Sequence, residues 1–319
     1  MKFAHPELLA CTICPQNCGA NRYLGTGFCG AGADLRVNSC QLHHGEEPVL
    51  SGRGGSGTIF LSHCNLRCVF CQNHQISHRG WGNTTSEAEC SQMMLRLEEA
   101  GAHNINLVSP TQFTPQLAAS IRLARAAGLS IPIVWNSNAY EHPETLKTLA
   151  GLVDIFLPDF KYAHGAYSRK YSQARNYPAI ALAALLEMLA QVGFLQVSPA
   201  GLAAHGVLVR HLVLPNRISG TREVLYALHE NFGPGIPISL MSQYYPAAEA
   251  HSHPELARGL SPQEYAEALE LALSLGFELI YTQELAPSAD WTPVFAPGIT
   301  AGNAPITHFH GRKHNAQQA

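Results

Sequence analysis

From residue 58 onward the chain alternates short apolar runs with longer stretches of helical spacing, and this rhythm restricts its fold more than any other feature. The runs are "TIFLS" (58–62), "NINLVS" (104–109), "IPIVWN" (131–136), "VDIFLP" (153–158), "VLVRHLVL" (207–214), "IPISLMS" (236–242) and "FELIYTQ" (277–283). Each is largely apolar on both faces and is followed by polar or Pro-containing turn residues, the pattern of strands buried inside a parallel sheet. Between them, 86–100, 115–127, 143–150, 178–192, 221–230 and 262–275 have helical spacing. Several start at Pro or behind a Ser or Thr cap, and Gly101, Gly128, Gly151, Gly193 and Gly276 stop them. Right-handed crossovers between such units close into a barrel or part of one. The expectation is an α/β fold in which 58–301 form a partial (β/α)6-type TIM-like barrel, with a doubly wound open sheet as the alternative.

Residues 1–57 break the rhythm. They are rich in Gly and Cys and are expected to form an irregular, metal-binding segment, while the polar residues 302–319 are expected to be a frayed, flexible tail. With 319 residues, 46 % of them apolar and 13 % charged, the chain can bury a sizeable core unaided. A net charge of −3 without a long Lys or Arg run argues against a nucleic-acid partner. The opening "MKFAHPELLACTICPQ" is unlike a signal peptide and no segment reaches a membrane span's length, so a cytoplasmic protein without a membrane partner is expected. Eight of the nine cysteines precede residue 72, which favours metal binding over a disulfide scaffold.

Three of those cysteines, Cys64, Cys68 and Cys71, occupy "HCNLRCVFCQNHQISH" (63–78) with the spacing C-x3-C-x2-C. The loop follows the first barrel strand, which puts the thiols at the C-terminal mouth where this architecture builds active sites. A structural zinc ion takes four protein ligands, and His63, His74 or His78 would have to supply the fourth. Three thiolates on a [4Fe–4S] cluster instead leave one iron open to a substrate or cofactor, which accounts for the missing cysteine.

Cys64-x3-Cys68-x-Phe70-Cys71 resembles the motif of radical S-adenosylmethionine (SAM) enzymes. The wider context "EEPVLSGRGGSGTIFLSHCNLRCVFCQNHQIS", with "GAHNINLVSPTQF", "VDIFLPDFKY", "VRHLVLP" and "SLMSQYYP", resembles the pyruvate formate-lyase activating enzyme-like branch over nearly the whole chain. The resemblance implies that Cys64, Cys68 and Cys71 hold a [4Fe–4S] cluster whose open iron chelates SAM through its amino and carboxylate groups. One electron from a reducing partner such as flavodoxin or ferredoxin would cleave a C–S bond, and the resulting 5′-deoxyadenosyl radical would abstract hydrogen from a substrate. It leaves the substrate open between a small molecule and a protein or peptide, the latter as in activases that place a radical on a partner protein.

Polar groups follow the other strands: Ser109 and Thr111, Asn136 and Asn138, Asp159 and Lys161, Arg210 and His211, Gln243 and Tyr244, Gln283 and Glu284. In "PDFKY" two opposite charges stand two residues apart after an apolar strand, and buried charges need a partner or a ligand. The related activating enzymes carry a similar Asp-x-Lys near SAM, so Asp159 and Lys161 are assigned to the SAM site. Alternation sends Arg210 and His211 to opposite faces, and an inward Arg210 would suit a carboxylate. Many radical SAM enzymes carry Gly-Gly-Glu after the second strand to hold the SAM amino group. This chain has "LVSPTQF", which makes Ser109 and Thr111 the nearest substitutes. Catalytic roles are thus expected for Asp159, Lys161 and Arg210, and cofactor contacts also for Ser109, Thr111, Asn136, Asn138 and Gln243.

In the leader, Cys11, Cys14, Cys18 and Cys29 are spaced C-x2-C-x3-C-x10-C, enough to close a site; zinc and an auxiliary [4Fe–4S] cluster both fit. Cys40 and Cys90 are expected to be unliganded, and His43, His44, Glu46 and Glu47 to border the active site or to sit in a solvated loop. The competing reading is a non-catalytic, zinc-stabilised binding or scaffold protein.

Overall fold

Parallel strands that are apolar on both faces must be covered twice: the helices cover one face, and on the other Val134, Ile155, Leu157, Leu208 and Tyr281 pack against one another. The computed structural model describes residues 4–285 and 295–297, with the backbone of two short strands, His308–Phe309 and Asn315–Gln317. The tail expected over 302–319 otherwise lies outside the described residues.

Nine strands frame the site: β1 (Leu35–His43), β2 (Ser56–Leu61), β3 (Ile105–Val108), β4 (Ile133–Ser137), β5 (Ile155–Pro158), β6 (Ala203–Val207), β7 (Val209–Leu212), β8 (Ile238–Met241) and β9 (Ile280–Thr282). β1 pairs antiparallel with β2; β2, β3, β4, β5 and β6 follow in parallel register, and β7, β8 and β9 do likewise. The Leu208 amide donates to Phe156 O, and a parallel bridge joins Asp159 to Arg210, so the two sets are continuous through β6 and β7. The α/β fold with a mostly parallel sheet expected from the sequence is present; β9 and β2 do not pair among the described residues.

The main helices are α1 (Glu87–Glu99), α2 (Thr114–Ala126), α3 (Gly165–Ser172), α4 (Tyr177–Val192), α5 (Thr221–Phe232) and α6 (Pro262–Ser274). α1 and α6 start in capping boxes, Ser86 with Glu89 and Ser261 with Glu264, and each box satisfies two otherwise orphaned amides. Every residue of β2, β4 and β5 is buried, with Trp135 at the centre of β4, and each large apolar side chain so removed from water contributes about 1.5–3 kcal/mol. None of the helices among the described residues is long and apolar enough to cross a membrane.

Four stretches depart from the expectation. Residues 35–43, expected to be irregular, form the longest strand, β1. Its Asn38, Ser39 and Gln41 hide the strand pattern, yet Asn38 is fully buried and Nδ2 donates to Trp81 O and Ala296 O. The helix α3 was not expected because "GAYSRKYS" lacks an apolar stripe, and the run at 207–214 breaks at Leu208 into the junction of β6 and β7. The segment at 143–150 condenses to a short helix, Pro143–Lys147.

His211 on β7 is fully buried, with Nδ1 2.6 Å from Phe160 O and Nε2 2.9 Å from Thr221 Oγ1. Burial lowers its pKa from 6.5 to about 4. The unfolded chain therefore takes up this proton first, and stability that is whole above 6.5 is lost as the pH falls towards about 4. Between about pH 7 and about pH 4.5 the contribution should fall by about 2–3 kcal/mol. Urea midpoints at the two pH values measure it, and His211→Gln should flatten that difference.

Candidate active site

The ends of the parallel strands converge on a cavity of about 210 Å³. Cys64, Cys68 and Cys71 line it, as do Ser109, Asn136, Asn138, Asp159, Lys161, Arg210 and Gln243. The structure thus brings together every sequence-derived candidate for this site except Thr111, whose hydroxyl donates to Glu141 Oε1 at 3.0 Å within a buried network. His211 faces the other side, as alternation requires, and Tyr244 is committed to Leu256 O at 2.6 Å. Gln283 lines the cavity; its Nε2 donates to Gln243 Oε1 at 2.9 Å.

The loop after β2 turns sharply enough to aim all three thiols inward. The Cys71 amide donates to Cys68 O at 3.0 Å, and the Leu66 amide points at Cys64 Sγ at 3.4 Å. Three side chains hold the sulfurs: Asn138 Nδ2 is 3.4 Å from Cys64 Sγ, Ser172 Oγ donates to Cys68 Sγ at 3.0 Å, and Ser77 Oγ is 3.1 Å from Cys71 Sγ. Burial pushes the Cys64 thiol up to about 12 and that of Cys68 to about 11, with the Lys161 ammonium opposing the rise at Cys68. His63, His74 and His78 do not line the cavity. His63 is clasped between two glycines: a Cβ at Gly30 would stand 2.8 Å from its Nδ1, and one at Gly80, where φ is +64°, would overlap the ring. Only residues without side chains admit the ring there.

Asp159 anchors the polar wall. Its Oδ2 accepts from Lys161 Nζ at 2.5 Å and its Oδ1 from Arg210 Nε at 2.8 Å. Burial alone would raise its pKa, but the Arg210 and Lys161 charges outweigh it and hold the carboxyl below the usual range. Arg210 Nη2 donates to Asn136 Oδ1 at 2.7 Å and Nη1 to Glu46 Oε2 at 3.3 Å, while Glu46 Oε1 accepts from Asn106 Nδ2 at 3.0 Å. The Tyr177 hydroxyl accepts the Lys161 amide at 2.8 Å and lies 2.6 Å from Asp159 O.

His43, Glu46 and Glu47 border the cavity, and His44 is not among the lining residues. Sequence reasoning left Glu46 undecided and missed Asn65, Ser77, Ser172 and Tyr177. Asn65 Oδ1 accepts from Asn138 Nδ2 at 2.7 Å. Its place directly after Cys64 was the one available signal; the other three carry no motif.

In the leader, burial raises the Cys14 thiol to about 12, with the Cys29, Cys11 and Cys18 thiols adding to the rise. Burial also opposes ionisation of Cys18, but backbone amides of Ala20 and Phe28 outweigh it and lower its pKa. Cys40 and Cys90 are both buried in the main core.

No three His, Cys, Asp or Glu side chains among the described residues are gathered to hold a single metal ion. A cubane places each thiolate on a different iron, so thiols set apart around a cavity fit a cluster. Lys161 beside Cys68 supplies positive charge for the thiolates that such a group requires.

The family model of the Radical SAM superfamily matches residues 58–198, which include the three cysteines, Asp159 and Lys161. An uncharacterized protein of Methanocaldococcus jannaschii is 30 % identical over 278 residues, covering 85 % of this chain and 76 % of that one. The chain belongs to the radical SAM superfamily. Membership implies a [4Fe–4S] cluster and SAM. The FeFe-hydrogenase maturase HydG from Carboxydothermus hydrogenoformans is similar in fold, with a TM-score of 0.51 and 14 % identity over 72 % of this chain and 53 % of that one. Methylornithine synthase (PylB) aligns with a TM-score of 0.48 and 16 % identity over 70 % of this chain and 63 % of that one. The chain therefore spans less than two thirds of the length of these two solved structures.

Removing one charge tests the wall. Asp159→Asn leaves Lys161 without a carboxylate and Arg210 with Glu46 alone, and should lower stability by about 3–5 kcal/mol, read from the denaturant midpoint. Glu46→Gln keeps the hydrogen-bonding shape and should cost about 1–2 kcal/mol.

Proposed function

We propose that the protein is a radical SAM oxidoreductase that reductively cleaves SAM for hydrogen abstraction, with Cys64, Cys68 and Cys71 holding the cluster. The observation that carries this is the opening of three buried thiols onto one cavity with Asp159, Lys161 and Arg210. When bound, the cluster supplies the electron that SAM cleavage needs. The chain's own residues bind and orient. Arg210 and Lys161 present cations to a carboxylate, held in place by Asp159, Glu46 and Asn136. Asn138 and Ser109, at the mouth, offer polar contacts for an amino group where a Gly-Gly-Glu stretch is lacking. Phe60, Phe70, Leu66 and Ile76 in the lining limit the entry of water.

The same reading places the chain in the pyruvate formate-lyase activating enzyme-like branch, on a partial (β/α)6-type barrel with a metal-binding leader at 1–57. The likeness of "EEPVLSGRGGSGTIFLSHCNLRCVFCQNHQIS" supports it. It works in the cytoplasm, takes electrons from a flavodoxin or ferredoxin, and acts on a protein partner or a small molecule. The leader cysteines Cys11, Cys14, Cys18 and Cys29 belong to a second centre, zinc or iron–sulfur.

After anaerobic reconstitution with iron and sulfide, dithionite should drive formation of 5′-deoxyadenosine from SAM. Cys64→Ala, Cys68→Ala and Cys71→Ala should each lower it to background. A Cys64→Ala chain that still cleaves SAM, or a wild-type chain that takes up zinc alone, would overturn the reading.

A further inference from the structure

Arg22 lies between the leader cysteines and the core with 2 % of its surface exposed. Nε and Nη2 donate to Gly32 O at 3.0 and 2.6 Å, Nη1 donates to Gln112 O at 2.6 Å, and Nη1 is 3.9 Å from Cys11 Sγ. Carbonyls satisfy the fork's hydrogens without neutralising its charge, and no carboxylate among the described residues forms an ion pair with it. A guanidinium does not lose its proton in a protein, and a buried charge without a counter-charge is strongly unfavourable. Sulfur is the group at hand to supply the counter-charge.

Two of the leader sulfurs flank a gap at Gly27. A Cβ on Gly27 would stand 3.3 Å from Cys18 Sγ and 3.5 Å from Cys29 Sγ, so glycine keeps the space between these two thiols clear. Cys18 Sγ is 3.9 Å from Cys11 O. Four thiolates on a dication leave a net double negative charge, whether the dication is zinc or a [4Fe–4S] core.

The far side of Arg22 reaches the catalytic loop. Gln112, which accepts from Arg22, donates through Nε2 to Ser62 O and His63 O at 3.1 Å each and to Ser109 O at 2.8 Å. These carbonyls close the exit of β2, the residue before Cys64 and the end of β3. Gln16 Nε2 donates to Asn65 O at 2.9 Å and Arg67 Nη2 to Phe28 O at 2.9 Å, which ties the leader to the loop twice more.

We propose that Cys11, Cys14, Cys18 and Cys29 hold, as thiolates, a metal centre of net negative charge, that Arg22 is its buried counter-ion, and that the Arg22–Gln112 link braces the catalytic loop against it. The inference rests on reading the leader cysteines as metal ligands and is independent of SAM cleavage. Arg22 is a positioning residue that touches neither substrate nor reacting atoms.

The test uses the full chain with Cys64, Cys68 and Cys71 all replaced by Ala, so that the catalytic cluster is out of the measurement. Loaded anaerobically with zinc, or with iron and sulfide, and then desalted, it should keep one zinc ion or about four irons with as many sulfides per chain. Adding Cys14→Ala should remove them. A folded chain, by circular dichroism, that retains neither overturns the proposal. Release to a chelator should be at least about tenfold faster with Arg22→Gln and within about threefold of the parent with Arg22→Lys, which keeps the charge but not the fork. Equal release from parent and Arg22→Gln, or equal acceleration in both variants, overturns the counter-ion role. Should Arg22→Gln not fold, tenfold faster release from Arg22→Lys alone does so. Metal loading should also slow amide exchange over 63–67, and unchanged exchange there refutes the bracing.

Discussion

The Asp159 carboxylate holds two cations at the point where the sheet itself is joined. The bridge between Asp159 and Arg210 is the backbone connection from β5 to β7, reinforced by the Phe160 amide on Arg210 O at 2.8 Å. The remaining donors of Arg210 reach Asn136 on β4 and Glu46 before β2, and Glu46 in turn reaches Asn106 on β3. Five parts of the sheet and its leader are therefore tied to one buried charge network. In a low-dielectric wall each member is costly without the others, which makes the network cooperative and its geometry narrow. A site that must hold a small polar cofactor in one orientation needs polar groups fixed in this way before the ligand arrives.

The thiols are arranged on the opposite principle. Burial favours their neutral form, up to about 12 at Cys64 and about 11 at Cys68. A metal takes thiolates, so loading must release these protons, and the energy of metal–sulfur bonding has to exceed the cost of ionising buried thiols. Lys161 reduces that cost at Cys68 while remaining paired to Asp159, so the same ammonium serves both the charge network and the sulfur ligands.

Each of the seven apolar runs contains strand, although that at 207–214 is split between two, because parallel strands covered on both faces leave continuous apolar runs. β1 was hidden because it buries the polar Asn38 and Gln41, and a buried polar residue is distinguishable from an exposed one only once its partner is known. The same limit decided the site. Cys64, Cys68 and Cys71 have a spacing that means something by itself, and Asp159 with Lys161 is a charge pair after an apolar strand. Glu46, Ser172 and Tyr177 gain their roles from contacts across more than ten residues of chain, and no local pattern encodes those. Thr111 shows the converse: a hydroxyl at a strand end looked available, but the buried Glu141 carboxylate takes it.

The missing fourth ligand of the three-cysteine loop follows from packing. His63 is adjacent to Cys64 and is the imidazole best placed in sequence to complete a site. Its backbone has a φ of +69°, and its ring lies between Gly30 and Gly80, where neither glycine could carry a side chain. Turning that ring towards the sulfurs would empty the space it fills between leader and loop and undo the close approach of both glycines. His74 and His78 stand outside the cavity lining. What faces the three thiols instead is the charged wall of Asp159, Lys161 and Arg210 with Asn138 beside Cys64. The loop thus spends its histidine on joining two segments and leaves the remaining coordination to whatever enters the cavity.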